Sequence, residues 1–208
     1  MNSEILPRSS LGPVFTGGVG RPLWVLVLLA ACGGAAATEG AGPVTAADLY
    51  PLHEGAVWSF DVDIGDDHEP ALAISRVLSR AGNTYEVRND GGESVTYEVR
   101  EDGIYRPASQ AYLIHGPITE GRTWDAGSGR TARIAATGQR IPTPAGTFDR
   151  CVRIEESGGA DGRQIATTYC PGVGVVILEA GMTSELSGMR AEVRAVLRAY
   201  SLGDDPLE

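Results

Sequence analysis

Apolar and polar positions alternate with a period of two along most of this chain, as in strands that bury one face. Trp58, Phe60, Val62 and Ile64 interleave with Ser59, Asp61 and Asp63. Leu72, Ile74 and Leu78 continue the alternation after the loop 65–70, interrupted by Arg76. Thr84-Tyr85-Glu86-Val87-Arg88 is nearly repeated as Thr96-Tyr97-Glu98-Val99-Arg100, with the turn residues Asn89-Asp90-Gly91-Gly92 between them. The pair predicts a hairpin with Tyr and Val on one side and Thr, Glu and Arg on the other. Further short strands are expected at 104–105, 112–114, 121–124, 130–137, 148–155, 165–170 and 173–179. Pro142 and Pro144 exclude a central strand at 141–146, because each removes a ladder donor. Val193, Val196, Leu197 and Tyr200 fit a helical period, while Met189, Ala191, Val193, Ala195 and Leu197 fit a strand. The strands before them favour a final strand. One helical turn is expected at 45–50, stopped by Pro51. About ten short strands and no long helix predict an all-β antiparallel meander. Its apolar face has to be hidden in a curved sheet, a half-barrel or a sandwich.

Residues 23–31 form a nine-residue apolar run after Arg21. A spanning helix needs about 20 such residues, whereas the core of a secretory signal needs about 7–15 with a positive residue before it. Leu29-Ala30-Ala31-Cys32 at its end resembles the lipobox of bacterial lipoproteins. In that family the segment before the cysteine is cleaved and the cysteine carries the lipid, palmitate being a usual acyl group. The resemblance implies a signal peptide at 1–31, lipidated Cys32 on a flexible tether at 32–44, a β-rich periplasmic domain at 45–202 and a tail at 203–208. Gly33, in place of Asp after the cysteine, implies the outer membrane by the sorting rule of such proteins, with the domain facing the periplasm. The long leader makes Val14 or Val19 an alternative translation start. The small, polar tether spans about 20 Å on average, enough to clear lipid headgroups.

The chain has 17 basic and 27 acidic residues, a net charge of −10, and every basic residue is arginine. Without Arg8, Arg21 and Glu4 of the leader the balance is still more acidic. Such a surface lacks the positive face that nucleic acid requires and does not dock on anionic lipid by charge. The expected membrane partner is therefore reached through the lipid on Cys32. Cys151 and Cys170 remain as an even pair in an oxidising compartment. The turn residues Ser157-Gly158-Gly159-Ala160-Asp161-Gly162 centre near position 160. That centre places Cys151 opposite Cys170, Val152 opposite Tyr169 and Ile154 opposite Thr167, close enough for a bond. A reactive or metal-binding pair is the alternative, although no CxxC and no nearby histidine supports it.

Tyr50-Pro51-Leu52-His53-Glu54-Gly55-Ala56-Val57-Trp58, Thr143-Pro144-Ala145-Gly146-Thr147-Phe148-Asp149-Arg150-Cys151 and Tyr169-Cys170-Pro171-Gly172-Val173-Gly174 are spread over the mature chain. They are similar to motifs of uncharacterised bacterial lipoproteins: Y-P-L-x-x-G-x-x-W, T-P-A-G-T-F-x-x-C and Y-x-P-G-V-G. The resemblance implies a secreted β-rich lipoprotein domain and assigns no activity. A curved sheet of this kind is similar, by analogy of fold alone, to the half-barrels that carry lipoproteins across the periplasm.

Chemistry is sparse. Asp61, Asp63, Asp66, Asp67 and Glu69 beside His68 are the best metal candidate, but the spacing fails the calcium-loop template because Leu72 stands where the bidentate glutamate belongs. A solvated hairpin end is the favoured reading. His53 and His115 stand beside prolines at expected turns. No G-x-S-x-G, H-E-x-x-H, P-loop or GxGxxG occurs, so neither an enzyme nor a cofactor is expected. Trp58, Phe60, Tyr85, Val87 and Tyr97 on one face either fill the core or enclose an apolar ligand such as an acyl chain, with core filling favoured. The expected role is a non-enzymatic one in envelope structure or interaction with an envelope protein. The alternatives are a lipid or lipoprotein carrier and a cryptic hydrolase.

Overall fold

The computed structural model describes residues 42–65, 71–160, 162–183 and 190–203. Contacts divide the chain after Gly40, and all described residues belong to the second unit. The expected lipidation site Cys32, the expected signal peptide and the tail after Gly203 lie outside them.

The alternation in the sequence becomes twelve strands: β1 (Val57–Asp63), β2 (Ala71–Ala81), β3 (Thr84–Asn89), β4 (Ser94–Arg100), β5 (Gly103–Arg106), β6 (Ala111–His115), β7 (Thr123–Gly127), β8 (Arg130–Thr143), β9 (Gly146–Gly158), β10 (Gln164–Cys170), β11 (Gly174–Thr183) and β12 (Arg190–Ser201). They form one sheet in the order β6-β5-β4-β3-β2-β1-β12-β11-β10-β9-β8-β7. Two six-stranded meanders are thus joined along β1 and β12. The outer strands β6 and β7 come together and nearly close a barrel. Side chains fasten this seam in place of a ladder. The Trp124 indole N–H donates to Tyr112 O at 3.0 Å, Arg106 Nη2 to Ala126 O at 2.9 Å, and Arg122 Nε to His115 O at 3.2 Å.

The expected helical turn is α1 (Ala46–Leu49), started by a capping box. Thr45 Oγ1 accepts from the Asp48 N–H, and Asp48 Oδ2 accepts from the Thr45 N–H at 2.8 Å. The Thr45 hydroxyl, which donates to Asp48 Oδ2 at 2.7 Å, and then the Thr45 N–H hold the Asp48 carboxyl below the usual carboxylate range. The Gly172 N–H ties Asp48 O to the β10–β11 turn at 2.8 Å. Leu49, Tyr50 and Leu52 then enter the core, where Trp58, Ile104, Ile134 and Val152 are also buried.

Three readings of the sequence meet the register directly. Val152 pairs with Tyr169 and Ile154 with Thr167, as the symmetry of the turn requires. Cys151 and Cys170 are joined as a disulfide with Cα atoms 4.1 Å apart. The expected inner face of β2 is corrected. Trp58 pairs with Ser75 and Phe60 with Ala73, and paired residues share a side. Ser75 and Val77 are therefore buried, while Leu72 is 56% exposed. The exclusion of a central strand at 141–146 holds, although an edge strand does run there. β8 continues to Thr143, with Pro142 opposite Thr147. β7 pairs only with its first residues, Arg130 to Arg133, so Pro142 lies on a local edge, where a missing donor is tolerated. The tip of this long hairpin leans on β12: the Ala145 N–H reaches Leu197 O at 3.4 Å, and the Phe148 ring meets Tyr200 at 6.0 Å.

Candidate ligand cavity inside the barrel

The inner faces of the strands line a cavity of about 410 Å³ that opens to solvent. Its volume follows from the pairing. On the β2 side small residues stand opposite the large ones of β1, Ser75 facing Trp58 and Ala73 facing Phe60, and on β12 Ala195 faces Val62. Trp58, Phe60, Val62, Leu113, Leu178 and Val193 form much of the apolar wall.

Tyr50, delivered by α1, sits among other rings, 5.7 Å from Trp58, 5.7 Å from Tyr97 and 6.1 Å from Tyr169. The Trp58 indole N–H donates to Val173 O at 2.6 Å, so the largest apolar side chain leaves no donor unpaired. Burial pushes the Tyr50 phenol well above its ordinary pKa, and the neighbouring Tyr97 and Tyr169 add to the effect. Burial also raises Tyr169, with the charge of Glu156 next in importance. Tyr97 is raised by burial too, while the Arg106 guanidinium pulls it down and Glu156 pushes it up. These phenols stay neutral at any physiological pH and act as walls and hydrogen-bonding groups.

Three charged residues line the cavity: Arg106, Glu156 and, on the β3–β4 turn, Asp90. The Glu156 carboxylate is almost fully buried, with Oε2 3.4 Å from Arg130 Nε. Arg106 contributes the seam bond to Ala126 and has its Nε buried without a hydrogen-bond partner.

Of the five residues proposed from the sequence as ligand-facing, Trp58, Phe60 and Tyr97 line this cavity. Tyr85 and Val87 are buried in the core away from it. Of the acidic candidates only Asp61 and Asp63 are described. Asp61 pairs with Arg198 at 3.0 Å, and Asp63 Oδ1 accepts the Gly65 N–H at 2.9 Å. Asp66, Asp67, His68 and Glu69 lie outside the described residues. His115 ends β6 instead of occupying a turn. Its ring stacks on Tyr112 at 4.2 Å, and its Nε2 is 3.7 Å from Asp102, away from the cavity wall. The Tyr112 hydroxyl donates to Asp102 at 2.7 Å and holds that carboxyl below its usual range.

No family model matches the chain, and no curated protein matches it. Two solved structures are similar. One is a candidate exported protein with a YmcC-like fold from Bacteroides fragilis, 13% identical, with a TM-score of 0.44 over 74% of this chain and 98% of that one. The other is a candidate lipoprotein from Parabacteroides distasonis, 15% identical, with a TM-score of 0.38 over the same shares. At these scores neither likeness bears on what the barrel does.

Tyr50, Arg106, Glu156 and Tyr169 are cavity residues that the sequence reading did not single out. Two of them carry a signal in the alternation itself. Arg106 stands two residues after Ile104, and Glu156 two after Ile154, so each charge occupies a position in the register of the buried face.

Proposed function

We propose that this protein is an envelope lipoprotein, anchored through Cys32 in the outer membrane, whose barrel holds an acyl chain or similar apolar molecule as a carrier or chaperone does. The observation that supports the reading is the cavity. About 410 Å³ falls in the range of small-molecule sites, which are mostly apolar with a few convergent polar groups. The cavity is open to solvent, so its apolar wall meets water in the free protein, and a bound apolar molecule would remove that surface from water. The role in envelope structure that the sequence first favoured needs the inward aromatics to fill the core. Trp58, Tyr85 and Val87 do so, whereas Phe60 and Tyr97 are only half-buried and border the cavity. The address rests on the lipobox resemblance and the tether, and a carrier on a flexible tether can meet ligand at a distance from its anchor.

Native mass spectrometry tests the reading. Residues 34–208 are exported to a periplasm and purified without detergent. Added mass that disappears on organic extraction is the expected result. A folded protein that shows only its own mass, and gains none when incubated with fatty acids, returns the barrel to a structural or interaction role.

A further inference from the structure

The carrier reading leaves the polar end of the ligand open, and the inference drawn here rests on that reading. Arg106 is the last residue of β5 and lines the cavity. One guanidinium nitrogen, Nη2, crosses the seam to the neutral carbonyl of Ala126. Another, Nε, is buried with no acceptor. Glu156 on the same wall has Arg130 Nε 3.4 Å from its Oε2 as an ion pair, although neither atom makes a hydrogen bond. Asp90 belongs to the β3–β4 turn, where its N–H donates to Ile74 O. Among the described residues no ion pair joins Arg106 to either carboxylate. A guanidinium inside a mostly apolar wall is stable when an acceptor completes it and costly otherwise. Among the described residues no acidic side chain is placed on that donor.

We propose that Arg106 binds the anionic head, a carboxylate or a phosphate monoester, of a single-chain amphiphile whose alkyl tail lies along Trp58, Phe60 and Val62. A planar guanidinium presents its donors in a fork that matches such heads and keeps its charge at every relevant pH. The Tyr97 phenol, which lies within the field of Arg106, stands on the same wall as a second donor. The head would thus be held at the seam, the place where the sheet is closed by side chains and not by a ladder.

The test uses the full lipidated protein in lipid nanodiscs. A dodecanoic acid bearing a photoreactive diazirine is crosslinked, and the label is mapped by peptide mass spectrometry. Dodecanoic acid, dodecyl phosphate and dodecan-1-ol then compete at equal mole fraction in the lipid. Label is expected on β1 and β11, with the acid or the phosphate displacing it at least about tenfold better than the alcohol, the size of one charge-assisted hydrogen bond. Which of the two anions competes best assigns the head. Arg106→Gln should bring the anions down to the level of the alcohol without changing the alcohol itself, and Arg106→Lys should retain a preference. A residue that only fastened the seam would change all three competitors together. Because Arg106→Gln also removes a seam bond, the comparison of anion with alcohol in the wild-type protein decides even if that variant does not fold. Equal displacement by all three overturns the anionic head and leaves the carrier reading standing. No label inside the barrel overturns both.

Discussion

The Trp58 indole joins residues 115 apart in sequence by donating to Val173 O at 2.6 Å. The next residue shows how tightly that contact is built. Gly174 has φ +104, and a Cβ there would stand 3.0 Å from Trp58 Nε1, so the backbone can pass only as glycine. Trp58→Phe keeps a ring in the barrel and removes the donor, leaving a buried carbonyl unsatisfied. It is expected to cost about 1–3 kcal/mol in urea unfolding; a midpoint equal to that of the wild type would mean that the bond contributes nothing net. The tyrosines make a prediction with a definite sign. Burial holds the Tyr50, Tyr97 and Tyr169 phenols above the ordinary value of about 10. Below that pH both folded and unfolded chains keep these protons, so stability does not respond. Above it the unfolded chain releases protons that the folded chain retains, and stability falls as pH rises. The unfolding midpoint should therefore drop above about pH 10, and Tyr169→Phe should make the drop shallower. A midpoint that holds steady there would contradict the burial of these groups.

Two elements hold the barrel by opposite means. The β9–β10 hairpin is closed covalently across a sequence separation of 19, and in the chain-entropy model such a loop is stabilised by about 3 kcal/mol. Reduction should lower stability by about that amount, and thiol labelling of the denatured, unreduced protein should find neither Cys151 nor Cys170 free. The β6–β7 seam has only side-chain bonds. Trp124→Phe removes the one to Tyr112 O and should speed hydrogen exchange in β6 and β7 while sparing β9 and β10; uniform acceleration would mean that the seam is no weaker than the ladders. These two elements also differ in how far the sequence revealed them. The hairpin was legible to the residue, because a glycine-rich turn and a period of two leave one register. The seam was not, because no local pattern says that the edges of a meander meet. The inner face of β2 was misread for a related reason. Leu72, Ile74 and Leu78 are the larger apolar side chains, and only the pairing with Trp58 and Phe60 shows that the smaller Ala73 and Ser75 point inward. The cavity was legible in half its wall, through Trp58, Phe60 and Tyr97, whereas its volume depends on those small partners across the strand.

At the scale of the molecule, the first and last strands lie in the middle of the sheet. β1 pairs with β12 on one side and β2 on the other, and Gly203 returns to within contact of Glu54. The pairing of β1 with β12 is the most distant in sequence, with Ser59 donating to Ala199 O across 140 residues. Loop closure of that length comes before any reward, so folding belongs to the slow, non-local regime of milliseconds to seconds. The same topology separates two cuts that look alike on paper. Ending the chain at Thr183 deletes β12, strips β1 and β11 of their partner and opens the cavity wall at Val193 and Ala195. Bare inner edges of this kind pair with other chains, so the truncated protein is expected to be aggregated or lacking fixed tertiary structure. A circular permutant opened between Thr119 and Glu120, both exposed, with a glycine-rich linker from residue 203 to residue 45, breaks the chain where β6 and β7 share no ladder. Every strand pair survives that cut, and the permutant is expected to fold with wild-type β content by circular dichroism and a somewhat lower midpoint. If both proteins fold, β12 does not hold the sheet together. If neither folds, the connection at the seam is as necessary to closure as the ladder between the first and last strands.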